Sequence, residues 1–286
     1  MSLIPGRSAR ENEDWLRIAS YLTRITGLSE ADVQRILALK TAEELRFSEA
    51  AMRLGLATQS DIEAALSASV RMAEPVPTAR PAAELVVASD SYHPHSERIR
   101  ALRTELLLRQ SGQDCNLFAV VSPGRGEGRS RLAAELAIAC AQLGQATLLV
   151  DADLRRPRQH ELFNAENAKG LADALALSEA PRMQTVHQLP KLALLTSGPR
   201  PGNPLELLSD ALLGDLISGW RRRYKHIVLD TPPVSEFSDA LAVASHAGAV
   251  LMLSRAQSTP LDAGRELLRR LSSTGARVLG SVMNHF

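Results

Sequence analysis

The chain has 286 residues, 45% of them hydrophobic but only 3% aromatic, so it can bury a sizeable core and that core must be aliphatic. Its 33 Lys and Arg against 32 Asp and Glu leave a formal net charge of +1, which gives nucleic-acid binding no support from bulk charge. Two cysteines, Cys115 and Cys140, make neither a disulfide framework nor a close-spaced metal or redox pattern, and they suit a reducing compartment.

No apolar run reaches the roughly 18–20 residues needed to cross a bilayer, so no spanning helix is expected. The opening residues are quickly followed by charge, so no signal peptide is expected either. Residues 1–72 alternate helical patterns with short turns, over Trp15–Ile25, Ser29–Leu39, Leu45–Leu54 and Gln59–Ser69. Ser29 and Thr58 each stand three residues before an acid, Asp32 and Asp61, close to capping-box form. This stretch reads as a small helical domain. Residues 73–84 contain three prolines and read as a semi-extended linker that does not pack.

From residue 85 onward, strand candidates at 117–122, 146–151, 191–196, 226–230, 249–254 and 277–283 alternate with helical patterns. Such alternation predicts right-handed βαβ crossovers, so residues 85–286 are expected to form a mainly parallel α/β sheet with helices on both faces. A ligand would then lie beyond the carboxyl ends of the strands.

Three strand ends carry the chemistry. The first runs into Val121-Ser-Pro-Gly-Arg-Gly-Glu-Gly-Arg-Ser130, where Gly124, Gly126 and Gly128 let backbone N–H groups converge on an anion at a helix N-terminus. Gly128-Arg129-Ser130 occupies the place of Gly-Lys-Ser in a P-loop, with Pro123 where the first glycine should be and Arg129 at the lysine position. Arginine keeps the positive charge but offers a planar fork of donors. A dinucleotide fingerprint is the competing reading, but it needs Gly or Ala at position 129 and leaves Asp230-Thr-Pro-Pro without a role. The second strand ends in Asp151-Ala-Asp153-Leu-Arg155, two carboxylates able to share Mg²⁺ and polarise a nucleophile beside a phosphate. The third, Ile227–Asp230, ends in a carboxylate able to support a metal ion and then in Pro232-Pro233, which forces the chain out of the sheet.

In this order the three segments resemble the Walker A, A′ and B motifs of the bacterial tyrosine kinases, or BY-kinases. Glu97, Arg100 and Arg103 match that family's Glu-x-x-Arg-x-x-Arg helix, Asn203-Pro204 begins an Asn-Pro-x-Glu-Leu-Leu-like segment, and Asp239-Ala240 sits where the family has Asp-Ala. The resemblance covers residues 85–284 and is nearest to the Eps-type chain-length-determinant kinases of exopolysaccharide systems. It implies a P-loop NTPase-like fold preceded by the small helical domain, with ATP and Mg²⁺ as cofactors. Gly124, Arg125, Gly126, Glu127, Gly128, Arg129, Ser130 and Arg131 would bind nucleotide. Ser130, Asp151 and Asp230 would serve the metal, and Arg129, Asp151, Asp153 and Arg155 would serve catalysis. The Glu97, Arg100 and Arg103 face would pack on a neighbouring subunit in a homo-oligomer. A membrane-spanning polysaccharide co-polymerase on a separate chain would be its partner, placing the protein in the cytoplasm at the inner-membrane surface.

BY-kinases end in a tyrosine cluster, whereas this sequence has tyrosines at 21, 92 and 224 and ends at Phe286, so no such tail is expected. A nucleotide-dependent switch or scaffold without kinase activity is therefore a second reading. A partition-type ATPase is a third, disfavoured because Gly124 stands where that group has its signature lysine. Leu45 to Leu66 resembles the N-terminal domain of type II secretion ATPases, some of which bind cyclic di-GMP. Ser48 replaces the usual glycine, so a protein-docking role is favoured over nucleotide sensing.

Overall fold

The computed structural model describes residues 28–43, 45, 47–61, 76–177 and 181–285. The helix expected at Trp15–Ile25 lies outside them, as does most of the one expected at Gln59–Ser69. The chain divides into two compact units, Met1–Arg71 and Met72–Phe286.

In the first unit, helices α1 (Glu30–Glu43) and α2 (Phe47–Arg53) pack through Ile36, Phe47, Ala50 and Ala51, with Leu28 and Ala57 closing the small core. Both capping boxes form. The amide of Asp32 donates to Ser29 Oγ at 3.2 Å while that of Ser29 donates to Asp32 Oδ2 at 3.1 Å. Thr58 and Asp61 repeat the exchange at 3.2 and 2.8 Å. Two orphan N–H groups of each helix start are thereby satisfied.

The second unit is an eight-stranded sheet in the order β1-β4-β5-β3-β6-β2-β7-β8. The strands are β1 (Val76–Ala79), β2 (Asn116–Val121), β3 (Thr147–Asp151), β4 (Gln184–Val186), β5 (Leu189–Leu195), β6 (His226–Asp230), β7 (Ala249–Arg255) and β8 (Arg277–Asn284). All neighbours run parallel except β4 and β5. Strands β2, β3 and β6 are buried along their whole length, which is why each reads as an unbroken apolar run. The helices are α3 (Val86–Ser89), α4 (Pro94–Arg109), α5 (Arg129–Ala141), α6 (Gln159–Leu162), α7 (Leu171–Leu177), α8 (Pro204–Ser209), α9 (Ala211–Arg221), α10 (Asp239–Ala247) and α11 (Leu261–Ser272). Helix α5 is buried from Leu132 to Ala141, so its small, Ala-rich surface lets it lie close against the sheet and the surrounding helices.

The stretch expected to be an unpacked linker is partly built into the sheet. Val76–Ala79 pairs parallel with β4, the Arg80 amide donates to the Phe163 carbonyl at 2.6 Å, and that of Ala82 to the Leu162 carbonyl at 2.8 Å. Three prolines do not prevent this, because an edge strand needs its donors on one side only. Strand β4, only three residues long, gave no periodic signal in the sequence.

Candidate functional site

The sheet order puts β3, β6 and β2 side by side, so the three motif-bearing strand ends converge. Asp151 registers with Asp230 across β3 and β6, and Val120 registers with Asp230 across β2 and β6. After β6 the chain turns back along the loop. The Thr231 hydroxyl donates to the Val120 carbonyl at 2.7 Å, and the Val234 and Ser235 amides donate to the carbonyls of Ser122 and Pro123 at 3.1 and 2.9 Å.

The loop itself is shaped by backbone only glycine adopts cheaply. Gly126 has φ 71°, and Gly128, at the N-cap of α5, has φ 97°. Between them the Glu127 side chain is buried, although the sequence placed it among the nucleotide-binding residues. Its Oε2 accepts from the Gly124 amide at 3.1 Å, and its Oε1 accepts a short hydrogen bond from Thr259. Asn284 Nδ2 donates to the Glu127 carbonyl at 3.0 Å. The loop is thus tied to the segment before α11 and to the end of β8.

Arg129 also turns inward. Nε donates to the Thr231 carbonyl at 2.9 Å, and Nη1 donates to the Gly124 carbonyl at 2.6 Å and closely to Ser122 Oγ. Burial disfavours its charge and draws its pKa down, while Asp230 opposes that shift. The residue at the lysine position therefore clamps the loop to the end of β6.

The carboxylates sit beneath the loop. Asp151 is fully buried and accepts from the amides of Asp153, Arg158 and Gln159 at 3.2, 3.0 and 2.9 Å. Burial, reinforced by the nearby Asp230 charge, pushes its pKa well above the usual carboxylate range. Asp230 is pushed up to about 6 by burial, against hydrogen bonds from Ser130 and Gln159. Its Oδ2 accepts from Gln159 Nε2 at 2.8 Å, while Oδ1 is buried with no hydrogen-bond partner among the described residues. Asp153 Oδ1 accepts from the amides of Arg155 and Arg156 at 3.1 and 2.9 Å.

A cavity of about 640 Å³ is lined by the loop from Arg125 to Arg131 and by Asp153, Arg156, Arg158 and Pro233. Five guanidinium groups around one cavity favour a polyanion. No cluster of three His, Cys, Asp or Glu among the described residues is arranged to hold a metal ion by itself. That suits Mg²⁺, which is held through one or two carboxylates and completes its shell with phosphate oxygens and water. The orphaned Asp230 Oδ1 and the glycine-turned loop fit a magnesium-bound nucleotide.

Two expected site residues have other partners. Arg155 makes a two-pronged contact with buried Asp239, Nε to Oδ2 at 2.6 Å and Nη2 to Oδ1 at 3.1 Å, and its guanidinium lies 3.9 Å over the Phe237 ring. In the Glu97, Arg100 and Arg103 set, Arg100 pairs with exposed Glu97 at 2.6 Å, but Arg103 donates to the Ala139 carbonyl at 2.8 Å and so helps dock α4 on α5. The sequence reading missed Gln159, which joins Asp151, Asp230 and the Ser130 carbonyl, and it missed Arg156, Arg158, Thr259 and Asn284. None of these carries a motif signal; only the fold collects them.

No family model matches the chain. It is 35% identical over 193 residues to the tyrosine-protein kinase YwqD of Bacillus subtilis, covering 66% of this chain and 81% of that protein. It is 32% identical over 189 residues to the tyrosine-protein kinase Wzc of Salmonella typhimurium, covering 66% of this chain and 26% of that one. The chain thus spans about a quarter of the length of several curated relatives it matches. Among solved structures, the kinase domain of the Escherichia coli tyrosine kinase ETK superposes with a TM-score of 0.67 at 28% identity, over 70% of this chain and 79% of that one. With the P-loop and Asp153 lining one cavity and the buried Asp151 and Asp230 paired across the adjoining strand ends, the chain belongs to the bacterial tyrosine-protein kinases.

Proposed function

We propose that the protein is an ATP-dependent tyrosine kinase that transfers the γ-phosphoryl group to a tyrosine hydroxyl and regulates exopolysaccharide polymerisation or export. The observation that carries this reading is the convergence of three motif-bearing strand ends: Ser130 and Asp153 line one arginine-rich cavity, and the buried Asp230 contacts Ser130 and stands opposite Asp151. Magnesium, when bound with the nucleotide, neutralises charge on the β- and γ-phosphates. The loop amides from Arg125 to Ser130 and the Arg125, Arg156 and Arg158 guanidiniums hold the phosphate chain. Asp153, whose Oδ1 alone is engaged by the described residues, accepts the proton of the incoming phenol. Asp151 keeps the turn from 151 to 159 in place through its three amide contacts, and Ser130, Asp151 and Asp230 are the residues that would hold the metal.

The exopolysaccharide role rests on the resemblance to the Eps-type kinases. It includes a membrane-spanning co-polymerase on a separate chain and peripheral attachment at the inner membrane. No helix among the described residues is long and apolar enough to cross a membrane. Self-association would use the exposed Glu97–Arg100 side of α4. The unit of residues 1–71 is assigned to protein docking, with cyclic di-GMP as its alternative ligand. The inward clamp of Arg129 favours one competing reading, a nucleotide-dependent switch with little transfer activity.

Incubation with Mg-ATP and the cytosolic segment of the membrane partner, followed by mass spectrometry, separates the two. Phosphotyrosine that disappears in Asp151→Asn and Asp153→Asn establishes the kinase. Bound nucleotide with no phosphotyrosine on any chain establishes the switch.

A further inference from the structure

A tyrosine kinase can use as acceptor only a phenol that leaves its own fold. Tyr224 is 8% exposed and is held among the residues that close α9, so its hydroxyl cannot enter another molecule's cavity. Tyr21 lies outside the described residues. Tyr92 is the opposite of Tyr224, being 94% exposed, the highest value among the large hydrophobic side chains of the described residues.

Its backbone, however, is fixed. Asp90 Oδ1 accepts from the amides of Tyr92 and His93 at 2.9 and 3.1 Å, and the buried Ser96 hydroxyl donates to the Asp90 carbonyl at 2.6 Å. Arg100 Nη1 donates to the Ser91 carbonyl at 2.5 Å. The turn is clamped on both sides of a ring that touches little of its own chain, which is how a protein presents a side chain to another active site at small entropic cost.

Arg100 adds the second half of the argument. It lies against the residue next to Tyr92 and is otherwise paired with Glu97, whose side chain is 64% exposed. Such a surface pair is weak. A phosphate beside it, carrying about −1.5 to −2 charge at pH 7, is a stronger partner for a guanidinium than one carboxylate.

We propose that Tyr92 is a phosphoacceptor of this chain, receiving the γ-phosphoryl group from ATP held by a second copy, and that the product phosphate takes Arg100 from Glu97. This rests on the kinase reading above. The Tyr92 Oη forms a bond to the γ-phosphorus as the bond from that phosphorus to the β,γ-bridging oxygen breaks. ADP leaves with the bridging oxygen, and the phenolic proton passes to Asp153 of the donor copy. Phosphorylation then changes the charge of the α4 face from within it.

The test mixes unlabelled full-length wild type with ¹⁵N-labelled Asp153→Asn chain in Mg-ATP and adds a Glu/Tyr copolymer as an external acceptor. Phosphorylated Tyr92 is expected on the labelled chain in the mixture and absent when that chain is incubated alone. Tyr92→Phe is expected to keep its melting temperature and its copolymer phosphorylation while losing at least half of the phosphate taken up by the chain itself. Copolymer phosphorylation with Tyr92 unmodified overturns the assignment and leaves the kinase reading standing. Phosphate on Tyr92 of wild-type copies only overturns transfer between copies. Absence of phosphotyrosine on both copolymer and chain removes the kinase reading and this inference with it.

Discussion

Asp151 and Asp230 stand opposite one another on neighbouring parallel strands, both fully withdrawn from solvent. Two carboxylates so placed cannot both ionise cheaply. In the unfolded chain both lose their protons near pH 4, whereas in the native protein burial raises both, Asp230 to about 6. Between those values the folded state holds protons that the unfolded state has released. Stability of the nucleotide-free protein therefore falls as pH rises from about 4 to about 6, by an amount on the order of 3 kcal/mol. Urea unfolding at pH 4.5 and pH 7 measures it. Asp230→Asn is expected to flatten that slope, and an unchanged slope would show that other groups set it. Mg-ATP is expected to raise the melting temperature more at pH 7 than at pH 5.

Arg129 spends its donors on the Thr231 and Gly124 carbonyls and on Ser122 Oγ. Arg129→Met leaves buried acceptors unpaired, a cost of about 1–3 kcal/mol. It is expected to weaken ATP binding at least tenfold, as followed by a fluorescent nucleotide analogue. Arg129→Lys keeps the charge but cannot span three acceptors at once, so it should fall between the two in stability. If Lys instead binds and turns over ATP better than the wild type, the clamp restrains the site rather than supporting it.

The Arg155–Asp239 contact joins the A′ strand end to the start of α10 and shields a fully buried carboxylate. Asp239→Ala strands the guanidinium and should lower stability by about 3 kcal/mol. Arg155→Ala leaves Asp239 buried and unpaired, with a loss of similar size. A bracing role predicts that ATP affinity of the surviving folded fraction changes less than fivefold in both. A large loss of turnover at unchanged stability in Arg155→Ala alone would instead return Arg155 to the catalytic set.

Thr259, in the segment after β7, and Asn284, the last residue of β8, reach the loop through Glu127. Thr259→Val preserves the volume but removes the hydroxyl, costing about 1 kcal/mol of loop order. The Michaelis constant for ATP should rise about fivefold with kcat little changed. Hydrogen exchange at the Gly124 and Gly126 amides is expected to quicken in the same variant.

The sequence determined the strands that matter and the chemistry at their ends. Long apolar runs at β2, β3 and β6 were legible because strands buried on both faces cannot alternate with polar residues. The glycine loop was legible because few residues other than glycine tolerate φ near 71° and 97°. The six strand candidates read from the sequence all recur in the sheet, whereas β1 and β4 went unread because a strand of three or four residues carries no period.

Tertiary structure alone decided what each charged side chain does. Arg129 and Arg155 look alike in sequence, as cations beside a phosphate site, yet one clamps the loop to Thr231 and the other is bound to Asp239, 84 residues away. Gln159 joins three site residues from a position that no spacing rule marks. The reason is physical. Strand burial and glycine turns are local demands that each segment meets by its own composition, whereas a buried charge must find a partner anywhere the fold brings one.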